Sequence, residues 1–159
     1  MITLSIDPGY ERVGIAVLQK EKNKKEVLLF SECFKTSSKL ILFERIFLIG
    51  EEIEKVIKKY KPNRFAIELV FHSTNTKTVL GVSEARGAMI YIARKNLLEI
   101  HEYTPLQIKN ATTGYGKATK DQVFSMIQKL IDLPVEVKQD DEIDAIAIGI
   151  TDLAYVKFK

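Results

Sequence analysis

The feature that most constrains this chain is a change in the period of its apolar residues near position 40. Before it, Ile2, Leu4 and Ile6 alternate with Thr3, Ser5 and Asp7, the two-residue period of a strand. Asp7-Pro8-Gly9 ends that strand in a turn. A second strand is expected over about 13–18, and the charged tip at 19–26 turns the chain back into a third, over about 27–34. After position 40, Leu42, Ile46, Ile49, Ile53, Val56, Ile57 and Tyr60 follow three-and-four spacing, with Glu and Lys on the other face. That pattern predicts a long amphipathic helix over 40–60, stopped by Pro62.

The rest alternates short apolar runs with helical ones. Residues 64–70 are apolar and β-rich around Glu68, as in a buried central strand. A helix over 78–95, a strand over 98–103, and two shorter helices from Pro105 and near Thr119 follow. The last helix, over 140–156, directs Ile143, Ile146, Ala147, Ile150, Leu153 and Ala154 inward. A hairpin meander followed by β-α units predicts an α/β fold, a five-stranded mixed sheet with helices on both faces. At 159 residues, with 46% hydrophobic and 28% charged residues, the chain suits one compact domain over 1–159.

Composition excludes several classes of function. A single cysteine, Cys33, allows no internal disulfide and no multi-cysteine metal site. The first residues do not read as a signal peptide, and the apolar stretch at 40–50 is interrupted by Glu44 and Arg45. A soluble cytoplasmic protein with no membrane partner is therefore expected. The net charge of +3 is too small to name a partner, so any nucleic-acid surface must gather its cations locally.

The chemistry lies in the acids. Asp7 ends the first strand and Glu68 stands near the end of the central one; if the two strands are parallel neighbours, both reach one edge of the sheet. Open α/β sheets place their ligands at that carboxyl edge. An unpaired Glu68 within Phe65-Ala66-Ile67-Glu68-Leu69-Val70 is costly to bury and calls for a cation, a hydrogen-bond partner or exposure. At the start of the last helix, Asp141 and Asp144 share a face, and so do Asp140 and Asp144; spacing does not choose between the pairs. Each acid also has an ordinary explanation, as a turn former, a strand-end charge or a helix cap. Together they suit Mg²⁺, a hard ion that takes carboxylates while keeping water and phosphate in its shell. Two such ions can activate water and stabilise the leaving oxygen of a phosphodiester.

Ser5-Ile6-Asp7-Pro8-Gly9, the run from Phe65 through Glu68 to Phe71, Glu84-Ala85-Arg86-Gly87 and Asp141-Glu142-Ile143-Asp144-Ala145-Ile146-Ala147 resemble, in order and spacing, the RuvC Holliday-junction resolvases. The resemblance spans about 2–151 and implies a ribonuclease H-like fold. It implies a Mg²⁺-dependent endonuclease with two ions per site, replaceable by Mn²⁺, acting as a homodimer that nicks two opposing strands of a four-way DNA junction. It assigns the metal to Asp7, Glu68, Asp141 and Asp144, setting Asp140 aside. It places a base-stacking aromatic at Phe71 and functional lysines at Lys109 and Lys120, and it admits a branch-migration motor complex as a partner. Departures from the family pattern are Gly14-Ile15-Ala16 in place of Gly-Tyr-Gly, Tyr10-Glu11, and Glu142; none removes a catalytic carboxylate.

The segment around Gly114-Tyr115-Gly116 carries Lys109, Lys117 and Lys120, which fits phosphate tracking with Tyr115 against a base or sugar. Lys77 and Arg86, on the second helix, are further candidates for backbone phosphates. That helix is apolar on more than one face, with Val79, Val82, Met89 and Ile92 on one side and Leu80, Ala88, Tyr91 and Ala93 elsewhere, as in a helix buried within a domain or shared with a dimer partner. His72 and His101 have no metal-ligand spacing, though His72 is close to Glu68 in sequence. Two other readings are a related nuclease acting on different branched nucleic acid and a catalytically silent junction-binding module. An actin-like phosphotransfer fold also opens with Asp-x-Gly, but needs a second lobe for which this chain has no room.

Overall fold

The computed structural model describes residues 1–69, 76–133, 137 and 140–156, with residues 76 and 77 described by their backbone alone. The elements follow the expected order: strands β1 (Ile2–Asp7), β2 (Arg12–Gln19) and β3 (Val27–Lys35), helix α1 (Leu42–Tyr60), strand β4 (Arg64–Glu68), helix α2 (Thr76–Lys95), strand β5 (Glu99–Tyr103), then helices α3 (Pro105–Thr113), α4 (Lys120–Leu130) and α5 (Asp140–Ala154). They build a five-stranded sheet in the order β3-β2-β1-β4-β5. The hairpin neighbours β1–β2 and β2–β3 pair antiparallel, whereas β1–β4 and β4–β5, joined through helices, pair parallel.

Strand alternation divides the core into two layers. Leu4 and Ile6, Val13, Ile15 and Val17, and Phe65 and Ile67 face α1 and α2, where Ile49, Ile53, Val56, Ala85, Met89 and Ala93 complete one apolar cluster. On the other face Ala16, Leu18, Ala66 and Tyr103 meet Ile108, Val123, Ile127, Ile146 and Ile148 from α3, α4 and α5. Helix α1 closes on Lys61, whose φ of 48° turns its N–H back to the Ile57 carbonyl at 2.9 Å just ahead of Pro62. Across α2, Gly81 leaves room for the Tyr10 ring: a Cβ there would stand 3.0 Å from it. The Tyr10-Glu11 departure is thus absorbed structurally, since Glu11 also pairs with Arg45 at 3.1 Å.

Helix α5 departs from the one-sided pattern expected of it. Every residue from Ala145 to Leu153 is buried, while Ala154, expected inward, is exposed. The helix lies between the sheet and α3, so polar and apolar sides alike are covered. It also approaches the sheet unusually closely. A Cβ at Gly14 would collide with the Asp141 carbonyl, and one at Gly149 would meet Leu18 and stand 2.7 Å from Ser5 Oγ.

Polar contacts fix that approach. Ser5 Oγ donates to the Ala145 carbonyl at 2.7 Å. At the far end Asp152, fully buried, accepts two bonds from Arg64 (2.7 and 2.9 Å), one from Thr3 (2.7 Å) and one from Tyr103 (2.9 Å). Burial works against the Asp152 carboxylate, yet the Arg64 and Thr3 hydrogen bonds and the Arg64 charge hold its pKa below the usual range. Near the start of the helix the Ser31 hydroxyl donates to Glu142 at 2.6 Å, which gives the unexpected Glu142 a role in tying α5 to β3.

Candidate active site

Asp7 and Glu68 end adjacent parallel strands on the same face of the sheet. Ser5 is opposite Ala66 and Ile6 opposite Ile67, so the next residues bring both carboxylates to the edge that α5 begins on. Asp141 and Asp144 arrive from the first two turns of α5. The clustering is legible in the protonation of Asp7, which is pushed up to about 8 by burial and by the charges of Asp144, Glu68 and Asp141, against a smaller opposing effect from Lys120. Glu68 is also raised, by burial and by Asp144, while a hydrogen bond with Asp7 opposes the rise.

Asp144 and Asp141 are each met by a cation. Lys120, at the start of α4, donates to Asp144 at 2.9 Å and stands 3.9 Å from Asp140. Arg12, at the start of β2, pairs with Asp141, whose other contact is the Cys33 thiol at 3.5 Å. Among the described residues no three acidic, histidine or cysteine side chains are gathered closely enough to enclose one ion. The donor set nevertheless suits a hard divalent cation, being all carboxylate oxygen, with burial first and then the charges of Asp144, Glu68 and Asp141 raising the Asp7 pKa.

Beside the carboxylates lies a cavity of about 280 Å³. Glu68, Asp144, Lys109 and Lys120 supply its charged groups, and Ile108, Val123, Ala147 and Ile148 are among its apolar ones. An anionic, partly apolar ligand such as a nucleotide of a DNA strand fits that division.

The other expected site residues fall in different places. Lys109 partly neutralises Glu68, as an expected neighbour of the site. Arg86 is turned inward: its guanidinium donates to the Glu68 carbonyl at 3.2 Å and pairs with Glu102, so it braces the end of β4. Tyr115 lines a separate groove with Asp121, Gln122, Met126 and Lys129, and Lys117 is exposed nearby in sequence. Phe71 and His72 lie outside the described residues, as does the Lys77 side chain. Asp140, exposed, lies beside Lys120 and outside the contacts of Asp7. Arg12 and Cys33 were not singled out from the sequence. Their signal is the strand register, which sets Gly14 opposite both Asp7 and Cys33 and so places Arg12 and Cys33 on the face of Asp7.

A family model described as crossover junction endodeoxyribonuclease RuvC matches residues 3–152. A RuvC crossover junction endodeoxyribonuclease from Fusobacterium nucleatum is 42% identical over 95% of this chain and 79% of its own length. One from Halothermothrix orenii is 40% identical over 94% of this chain and 90% of its own. Among solved structures, T. thermophilus RuvC in complex with Holliday junction substrate superposes with a TM-score of 0.91 at 29% identity, covering 98% of this chain and 94% of that one.

Proposed function

This chain belongs to the RuvC family of crossover junction endodeoxyribonucleases, with its ribonuclease H-like fold, and from that we propose that it resolves four-way DNA junctions by paired, symmetrical nicks. The observation that carries the reading is that the charges of Asp144, Glu68 and Asp141 all bear on the buried Asp7 carboxyl at one sheet edge, with Lys109 and Lys120 beside Glu68 and Asp144. We assign those four carboxylates as the catalytic metal ligands and Mg²⁺ as the ion, two per site, with Mn²⁺ able to replace it. Bound there, the ions supply the positive charge that activates water and offsets the charge of the leaving oxygen.

The remaining roles belong to the chain. Lys120 and Lys109 hold phosphate oxygens beside the carboxylates, where an unassisted anion is repelled. The Asp7 carboxyl gives up its proton as positive charge arrives, so ion binding and deprotonation are linked. The apolar wall of the cavity excludes water from one side of the bound strand. Tyr115 and Lys117 extend the proposed DNA surface, DNA contacts are assigned to Lys77 from its place in the sequence and to Phe71 from the family resemblance, and Arg86 contributes by bracing Glu68. The chain acts as one nuclease domain.

Paired nicks call for two copies. Helices α1 and α2 pack against each other and leave Phe43, Phe47, Leu80 and Tyr91 exposed, with open space at Gly87. We place the homodimer contact on that face, where a second copy covers the same residues by symmetry. Monomeric behaviour in sedimentation at micromolar concentrations would count against it. A branch-migration motor complex is a further proposed partner. Among the described residues no helix is long and apolar enough to cross a membrane.

The test is a synthetic mobile four-way junction incubated with Mg²⁺ and either the natural protein or Asp7→Asn. Paired nicks on opposite strands are expected, lost in the variant while junction binding persists. Equal cutting by both proteins overturns the site assignment, and equal cutting of linear duplex overturns the junction as substrate.

A further inference from the structure

Lys109 and Lys120 line one cavity with Glu68 and Asp144. Strand order and register place other cations on the side of Asp7 away from Glu68. Arg12 pairs across the sheet with Lys35, and Gly14, two residues further into β2, pairs with Asp7. Directly paired residues share a face, so Lys35 and Arg12 lie on the face that carries Asp7, Glu68 and α5. Both stand beyond the level of Asp7, outward from the edge of the sheet. The strand-borne residues therefore run along that edge in the order Lys35, Arg12, Asp7, Glu68, with Lys109 and Lys120 in the cavity that Glu68 and Asp144 also line.

We propose that Arg12 and Lys35 form a second DNA-backbone site that extends the active-site track across the ends of β2 and β3. The side chain of Arg12 is half exposed although it pairs with Asp141 and bonds to Cys33, and a guanidinium has five N–H donors in all. Lys35 is exposed at the end of β3. Neighbouring strands lie about 4.8 Å apart, so β3 to β4 spans roughly 14 Å. That is about four base-pair steps along the axis of a duplex, where each strand carries one phosphate per roughly 3.4 Å of axis. A DNA strand held only by Lys109 and Lys120 would be drawn toward Glu68 and Asp144. Cations beyond Asp7 as well hold it over the acids together, where it must be cut.

This inference rests on the chain binding DNA at its carboxylate edge, and its test separates the two ideas. Binding of a fluorescent four-way junction is measured by anisotropy in EDTA from 50 to 200 mM salt, for the natural protein, Arg12→Gln, Lys35→Gln and the double variant. Each lost phosphate contact lowers the slope of log affinity against log salt by about 0.9. The double variant should then lose about twelvefold less affinity than the parent over that salt range. Arg12→Lys should retain the slope, since it keeps the charge. Lys58→Gln/Lys59→Gln, which removes two exposed cations from α1, should leave the slope unchanged.

A parent slope in the double variant overturns the proposal, and so does an equal drop in the α1 control. If the natural protein shows no preference for the junction over linear duplex, the junction reading fails. The slopes measured on duplex still decide the track. Unchanged thermal melts establish that the variants are folded.

Discussion

Replacing Asp7 by Asn removes one titrating group from the centre of the site with little change of shape, so its effect on stability follows from the carboxyl's pKa. That pKa is pushed up to about 8, against 3.8 for an ordinary aspartate. Between those values the folded chain binds more protons than the unfolded one, so the contribution of Asp7 to stability falls as pH rises. Each unit corresponds to 1.36 kcal/mol, so the roughly three units between 3.8 and pH 7 accumulate to about 4 kcal/mol, from burial first and then from the charges of Asp144, Glu68 and Asp141. Asparagine carries no such penalty.

In EDTA the Asp7→Asn variant should therefore melt above the parent, with a lead near zero at about pH 4 that widens toward pH 8. At roughly 3 °C per kcal/mol for a chain of this size, the lead reaches as much as about 12 °C at pH 7. Scanning calorimetry across that range measures it. Mg²⁺ should narrow the gap, because it binds and stabilises the parent's carboxylates more than the variant's. A lead that does not change with pH, or a variant less stable than the parent throughout, refutes the assignment of Asp7 as a strained, partly protonated acid. The variant that cannot cut is expected to be the more stable protein, a trade of stability for chemistry at this site.

Three further perturbations probe the frame around it. Gly14→Ala forces a methyl group into the Asp141 carbonyl and should slow cutting about a hundredfold by displacing the start of α5, read by single-turnover cleavage; parental rates would show that α5 need not approach so closely. Asp152→Asn leaves Arg64 buried beside a neutral partner and should cost about 3–5 kcal/mol in urea unfolding, and a loss under 1 kcal/mol would contradict the network's structural role. Lys120→Met should lower the single-turnover rate about 10²–10³-fold; a change confined to the dissociation constant would reduce Lys120 to a binding group.

Local patterns made the strands, the long helix and the two strand-end acids legible in sequence. Parity along β1 and β4 depends only on neighbouring residues, so Asp7 and Glu68 could be placed on one edge from alternation and a parallel pairing. Choosing Asp141 over Asp140 took the family's register, because helical spacing allows both. What stayed hidden depends on distant partners. Asp152 looks like an ordinary polar residue of a terminal helix until Arg64, Thr3 and Tyr103 converge on it from three strands. Nor does the sequence show that Arg86 gives two of its donors to Glu102 and the Glu68 carbonyl. Arg12 carries no motif at all, and only the hairpin register and the approach of α5 give it a place.

The polar face of β1 explains why the site sits where it does. Thr3, Ser5 and Asp7 point toward α5, and each meets a different part of it: Thr3 bonds Asp152 near the end, Ser5 bonds the Ala145 carbonyl, and Asp7 feels Asp144 and Asp141 near the start. The first two contacts are directional, whereas the apolar contacts around them tolerate sliding. Slipping α5 by one turn would move it 5.4 Å and leave Asp152 buried without its partners, at a cost of several kcal/mol. Asp141 and Asp144 are thereby held to one position against Asp7 and Glu68, as the proposed sharing of an ion requires. A buried aspartate at the far end of α5 thus sets the register of Asp141 and Asp144 against Asp7 and Glu68.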